Sequence, residues 1–460
     1  MIRKYLGVLG VAGVICITGC ASHNIEATAP EPRRLGKDIP SFRAADDPET
    51  SSIPDVSIEE PTSGLALQEA LALALMRNPE LAVFSWEVRA REAEAVQAGV
   101  FPNPEAAVEI ENFGGSGELE GFGAAETTVG LFQLIELGGK RGKRRHEAEW
   151  LTQAGEWDYE TKRLDVLTDV TVAFVDLLVA QEQARLAAEL VDVADRILEA
   201  VTRRVKTGGI SPVEQSRAQV EAKTSEVELR KATQRVEIAK RQLAATWGST
   251  SPAFTEALGT IDTTWPVPTL AELLKRIGDN PDLARWTTEM ARRQASVELQ
   301  KAGRIPDLGL GVGVRRFESD AGGFNAFVAE LSLPLPIFDR NQGATNAAER
   351  RLEMGKEQRR AARVRAETLL GTTHQALTIS EGEVASLRDE VLPEATSAYD
   401  TAQQAYTRGR MRLTDVLDTQ RTLFALRSRY YDALAEYHRG KAEIERLIGA
   451  PLVEQSKVEE

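Results

Sequence analysis

The chain has 460 residues, 27% of them charged, 42% hydrophobic and only 6% aromatic, which suits Ala-rich helices packed side by side rather than a large aromatic core. A formal net charge of −14 argues against a nucleic-acid partner. Four histidines and two cysteines leave little for metal ligation, disulfides or catalysis.

Arg3 and Lys4 precede an apolar run from Tyr5 to Ile17, followed by Thr18-Gly19-Cys20. This has the form of a bacterial lipoprotein signal: residues 1–19, with Cys16, are removed and Cys20 is acylated. The alternative is a plain signal peptide with an incidental cysteine. Ala21, rather than Asp, follows Cys20, which by analogy with bacterial lipoproteins directs the chain to the outer membrane. No later apolar run is long enough for a transmembrane helix. Residues 20–62, with Pro30, Pro32, Pro40, Pro48, Pro54 and Pro61 among charged and small residues, read as an extended tether.

Leu65 to Arg77 predicts a short amphipathic helix, and Asn78-Pro79 an N-cap with proline at the first position of a second helix ending near Gly99. After Pro102 and Pro104 the period changes to two. Val108-Glu109-Ile110-Glu111 alternates, a Gly-rich loop runs from Gly114 to Gly123, and Thr127 to Ile135 reads as a second strand. From Gly139 to Thr207 there is no proline. Leu164, Leu167, Val170, Phe174 and Leu177, then Ala184, Ala187, Val191, Ala194, Leu198, Val201 and Val205, recur in helical steps, predicting a rod of roughly 100 Å. It stops at Gly208-Gly209, and Ser211-Pro212 caps a return helix to Trp247.

The plan then repeats. Asn78-Pro79-Glu80-Leu81 returns as Asn280-Pro281-Asp282-Leu283, Pro104-Glu105 as Pro306-Asp307, Thr207-Gly208 as Arg408-Gly409, Ala218-Gln219 as Thr419-Gln420, and Trp247-Gly248 as Ile448-Gly449. Five anchors in order at almost one offset mark a duplication. The expected organisation is a first repeat over 63–248 (strands about 104–135, long helix about 139–207) and a linker at 249–268 belting the middle. A second repeat over 269–449 (strands about 306–335, long helix about 341–408) and a tail at 450–460 complete it. In the second copy Leu308, Leu310, Val312 and Val314 alternate with Gly309, Gly311 and Gly313. Each rod is expected to pair with two shorter helices stacked end to end.

Strands of this length with one apolar face and one small or polar face fit a membrane β-barrel; the alternative is a soluble sheet over a core. Four strands cannot close a barrel, and open edges in lipid leave backbone groups unpaired. Strands must therefore be pooled, and three copies giving twelve is the favoured arrangement.

No catalytic or cofactor motif is present: Leu137-Gly138-Gly139-Lys140-Arg141 lacks the rest of a phosphate-binding loop, and His146, His374 and His438 lie far apart. Asp415 and Asp418 share a helix face, and in a trimer would set a ring of carboxylates around the axis, favouring cations; an ordinary acidic first turn is the other reading. Gly208, Gly209, Ile210 and Ser211, with Arg412, Leu413 and Thr414, form two helical tips offering apolar knobs among charges, suited to docking another helical hairpin. Lys140, Arg141, Lys143, Arg144 and Arg145 would meet either anionic lipid headgroups or carboxylates of a neighbouring subunit. Pro393 interrupts the second rod and is a possible hinge.

With these features the chain resembles the TolC-type outer-membrane efflux factors over nearly its whole mature length. Gln133 to Arg141 and Leu333 to Gly343, with Glu109 to Gly115, look most like the lipidated heavy-metal (CzcC/CusC-like) branch. The resemblance implies an α+β membrane protein: a homotrimer, a twelve-stranded outer-membrane barrel continuous with a periplasmic α-helical barrel. It also implies passive export, with divalent metal cations as the leading cargo, together with a periplasmic adaptor and an inner-membrane RND-type pump, and no cofactor. Drug or oligosaccharide export is the alternative within the fold, and a lipid-anchored structural spacer the alternative outside it. By the same resemblance Asp415 and Asp418 match aspartate rings at the periplasmic entrance and Tyr406 matches a gate tyrosine. Met411 departs from the gate arginine of some members.

Overall fold

A computed structural model of the chain describes residues 30–45, 60–319 and 322–452. The signal segment and Cys20 lie outside the described residues. The first repeat contains β1 (Gly64–Ala66), α1 (Leu67–Arg77), α2 (Pro79–Ala98), β2 (Glu105–Glu111), β3 (Glu126–Ile135), α3 (Lys140–Lys206) and α4 (Pro212–Ala245). A connector carrying β4 (Glu256–Leu258) leads to the second repeat: α5 (Leu270–Arg276), α6 (Pro281–Ala302), β5 (Leu308–Phe317), β6 (Phe324–Ser332), α7 (Gln342–Ser386), α8 (Leu392–Thr407) and α9 (Leu413–Ile448).

The first rod, α3, is one helix of 67 residues. The second rod is interrupted: between α7 and α8 the backbone widens into a π turn over Leu387–Val391, and Pro393 is the second residue of α8. Proline has no N–H to donate to the preceding turn and its ring crowds the carbonyl there, so a widened turn just upstream makes room. The short helices stack in pairs alongside the rods, and one asparagine makes each joint. Asn78 Oδ1 accepts from Leu81 N (2.8 Å), capping α2, while its Nδ2 donates to Thr246 O (2.7 Å) at the end of α4. Asn280 does the same for α6, accepting from Leu283 N (3.1 Å) and donating to Leu447 O (2.9 Å) at the end of α9.

The core lies along these joints. Leu164, Val170, Phe174 and Leu177 of α3 pack with Leu73, Leu75, Leu81, Leu243 and Trp247. In the second copy Leu370 and Leu377 pack with Tyr437, Ile444 and Leu447. The connector crosses the middle of the rods. β4 pairs in parallel with β1, Gln181 of α3 bonds both N and O of Ala257 (2.8 and 3.1 Å), and the Tyr437 hydroxyl bonds both N and O of Trp265.

Residues 30–45 differ from a free tether. They form a strap seated on α3 that also reaches the end of α9, where Leu35 N donates to Gly449 O (3.1 Å). Arg163, buried beside Glu160, donates to the carbonyls of Arg33, Leu35 and Gly36, and Glu160 accepts from Arg33 N (2.7 Å). The Tyr159 hydroxyl donates to Phe42 O (2.7 Å), and Ala44 N donates to Ser85 Oγ (2.7 Å). A buried charge pair is stable only with its remaining hydrogen-bonding capacity filled, and here the strap backbone fills it.

Candidate functional site: the sheet wall and the helical tip

The four long strands form one antiparallel sheet in the order β2-β3-β5-β6, leaving β2 and β6 as its edges. Residues directly opposite one another share a face, so the registers sort the side chains. One face carries Val108 and Ile110, Val129 and Leu131, Val312 and Val314, Phe327 and Leu331. Among the described residues nothing covers it: Phe327 is 88% exposed and Leu331 70%. A soluble sheet would bury this face, so its exposure favours lipid.

The opposite face carries Glu105, Glu109 and Glu111, Glu126 and Thr128, Glu330, a column of Gly309, Gly311 and Gly313, and Arg315. A methyl group at Gly309 would collide with the Phe132 ring, which also reaches Gly311. Towards the strand ends away from the helices, Arg315 gathers the carboxylates. Its guanidinium lies 3.0 Å from Glu126, 3.2 Å from Glu111 and 4.0 Å from Glu109, and its Nε donates to Thr128 Oγ1 (2.8 Å). Neither Arg315 nor Glu126 stood out in the sequence. The signal was there in parity, because each occupies the non-apolar register of its strand.

Where strands meet helices, the basic residues at the start of α3 are committed within the chain. Lys140 pairs with Asp307 (2.7 Å), Lys143 with Glu298 (3.6 Å), Arg144 with Glu136 and Arg145 with Glu149 (2.8 Å). Arg141 stacks on Phe101 at 3.6 Å. Within the chain these cations are met by its own carboxylates, brought in from α6, the turn before β5, the residue after β3 and α3 itself.

At the other end the α3–α4 and α8–α9 turns lie side by side. Leu413 is buried, packed with Ile197, Val201, Ala218 and Leu417, and Ile210 leans on the same cluster. The expected apolar knobs therefore point inward, because the turns need them to hold the four helix ends together. The exposed tip is Gly208, Gly209 and Ser211 with Arg408, Arg410 and Arg412, and Thr414 is half-buried beside them. Arg412 bonds Asp415 (3.2 Å), which holds that carboxyl below the usual carboxylate range; Asp418 is exposed one turn on. Tyr406 is half-buried, its hydroxyl without a hydrogen-bond partner, and Arg204 lies over its ring at 5.1 Å. Burial raises its pKa, against the lowering pull of Arg204. Met411 packs with Tyr399, Ala402, Val416 and Leu423 rather than supplying a charge. Among the described residues no group of acidic, histidine or cysteine side chains could hold a metal ion.

The model of the family described as outer membrane efflux protein matches this chain twice, over residues 70–249 and 275–450. The chain is 34% identical over 410 residues to the cobalt-zinc-cadmium resistance protein CzcC of Cupriavidus metallidurans, covering 89% of this chain and 96% of that protein. It is 24% identical to the pyoverdine export outer membrane protein OpmQ of Pseudomonas putida, covering 89% and 91%. Among solved structures, CusC superposes with a TM-score of 0.70 at 16% identity, covering 90% of this chain and 99% of that one. VceC of Vibrio cholerae gives 0.68 at 17%, covering 84% and 97%. The fold is thus that of the TolC-like outer-membrane channels. With both halves matched and a full-length relative above 30% identity, the chain belongs to the outer membrane efflux protein family, whose members sit in the outer membrane with a large periplasmic portion.

Proposed function

We propose that this chain is the outer-membrane duct of a tripartite efflux system carrying divalent heavy-metal cations to the exterior. The observation that carries the reading is a two-faced sheet with open edges, apolar on one side and lined with carboxylates on the other. Such a sheet is stable in lipid only when neighbours complete it.

The duplication supports completion by further copies of the chain. The first rod packs on α9 and α6 of the second repeat. The equivalent contacts for the second rod, with α4 and α2, are not among the substantial contacts within the chain. On α4 a row of Val213, Val220 and Val227, seven apart, is left exposed, together with Ile238. A neighbouring subunit's second rod fits there, and three chains close a twelve-stranded barrel over a helical one. Family members work as trimers in tripartite systems. The finer assignments are an adaptor and an RND-type pump as partners, Cys20 as the lipid anchor, and docking of the adaptor at the turns of residues 208–211 and 412–414. Asp415, Asp418 and Tyr406 then form the periplasmic gate. Pro393 and its π turn supply the hinge; Pro393→Ala with unchanged opening would count against it.

Metal cargo rests on the similarity to CzcC and on the acidic bore. A second reading, export of an organic molecule, is favoured by the OpmQ relative. Deleting the gene separates them. Metal export predicts a lower tolerated concentration of cobalt, zinc or cadmium salts, restored by the intact gene; unchanged tolerance would overturn it.

A further inference from the structure

The carboxylate-lined face of the sheet holds one cation among its strand residues, and it sits where three carboxylates converge. Glu109 and Glu111 come from β2, Glu126 from β3, and Arg315 from β5, so the cluster ties the first hairpin to the second. The Arg315 side chain is about one quarter exposed, while Glu109 and Glu111 remain 62% and 45% exposed. The guanidinium is therefore pinned against the wall and the carboxylates beside it face water. Thr128 fixes its Nε, leaving the two terminal nitrogens for Glu126 and Glu111.

We infer that Arg315 is a charge-selectivity determinant of the duct, a tethered counter-ion that occupies the place a passing cation would take at the outer mouth. This rests on the duct reading above. A mobile cation among the carboxylates would have to compete with a guanidinium that cannot diffuse away and is always charged. Arg315 thus keeps the mouth from trapping the divalent ions it releases, while the surplus of carboxylates keeps anions unfavoured. A cation duct without it would bind its cargo at the exit.

The test uses purified full-length trimer, wild type, Arg315→Gln and Arg315→Lys, in planar bilayers under a potassium chloride gradient. The expected result is an Arg315→Gln potassium-to-chloride permeability ratio about two-fold or more above wild type, since three unit charges, one per subunit, are removed from beside the ion path, with Arg315→Lys close to wild type. Manganese(II) added on the outer side should block Arg315→Gln at concentrations that leave wild type conducting. An unchanged ratio and unchanged block in conducting Arg315→Gln channels would overturn the inference. A trimer that never conducts, even with Asp415 and Tyr406 both replaced by alanine, would instead count against the duct itself. If the glutamine variant does not assemble, Glu111→Gln gives the opposite reading: a lowered permeability ratio supports the assignment and an unchanged one contradicts it.

Discussion

His438 sits half-buried in the waist, its ring edge-on to Trp265 and Tyr437, with Nε2 2.8 Å from Ile261 O. A carbonyl only accepts, so Nε2 carries the proton and donates. Burial pushes its pKa below the ordinary 6.5 and nearby Lys441 adds to this, against the Ile261 carbonyl and Asp262, which favour the charged form. The folded-state pKa is depressed, so the associated stability is fully present above about pH 6.5 and is lost as pH falls through the lower folded value. The melting temperature of the wild type should therefore fall on the acid side of neutrality, and His438→Gln should flatten that limb while melting lower at pH 7.5. Parallel profiles for the two proteins would contradict this. The sequence showed His438 only as an isolated histidine on a helix. Its environment comes from a connector some 170 residues upstream, which no local pattern reveals.

The long helices were legible because an uninterrupted apolar period needs no partner to be seen, and the strands because their glycine and glutamate positions alternate. The two asparagines were legible as caps, since Asn-Pro ahead of an apolar run has a local mechanism. Their second role was not, because Thr246 and Leu447 are far along the chain. Asn280 is fully buried and Asn78 only partly so. Asn280→Ala should cost about 2 kcal/mol of stability, from a lost cap and an unpaired buried carbonyl, and Asn78→Ala less. Chemical denaturation of each variant measures this; equal small losses would mean that the joints are held by packing alone. The strap was misread for a related reason. Pro-rich composition describes residues 30–45 as they would be unattached, whereas Arg163 and Glu160, which hold them, lie within the rod.

At the scale of the whole molecule, one chain is an incomplete object. Among the described residues its sheet has two open edges, its apolar strand face has no cover, and the seam on α4 has no partner. The sequence made this visible through the strand number, because four strands cannot close a barrel and open edges in lipid leave backbone groups unpaired. The charges at the tip were legible as arginines crowding two helical turns, but the inward turn of Leu413 and Ile210 was not, being a choice made by four helix ends packing together. If copies of the chain complete one another around a water-filled bore, purified protein added to a planar bilayer should insert as a trimer and give stepwise, cation-preferring conductance. A monodisperse monomer in detergent, or a trimer that inserts and stays silent even when Asp415 and Tyr406 are both replaced by alanine, would contradict it.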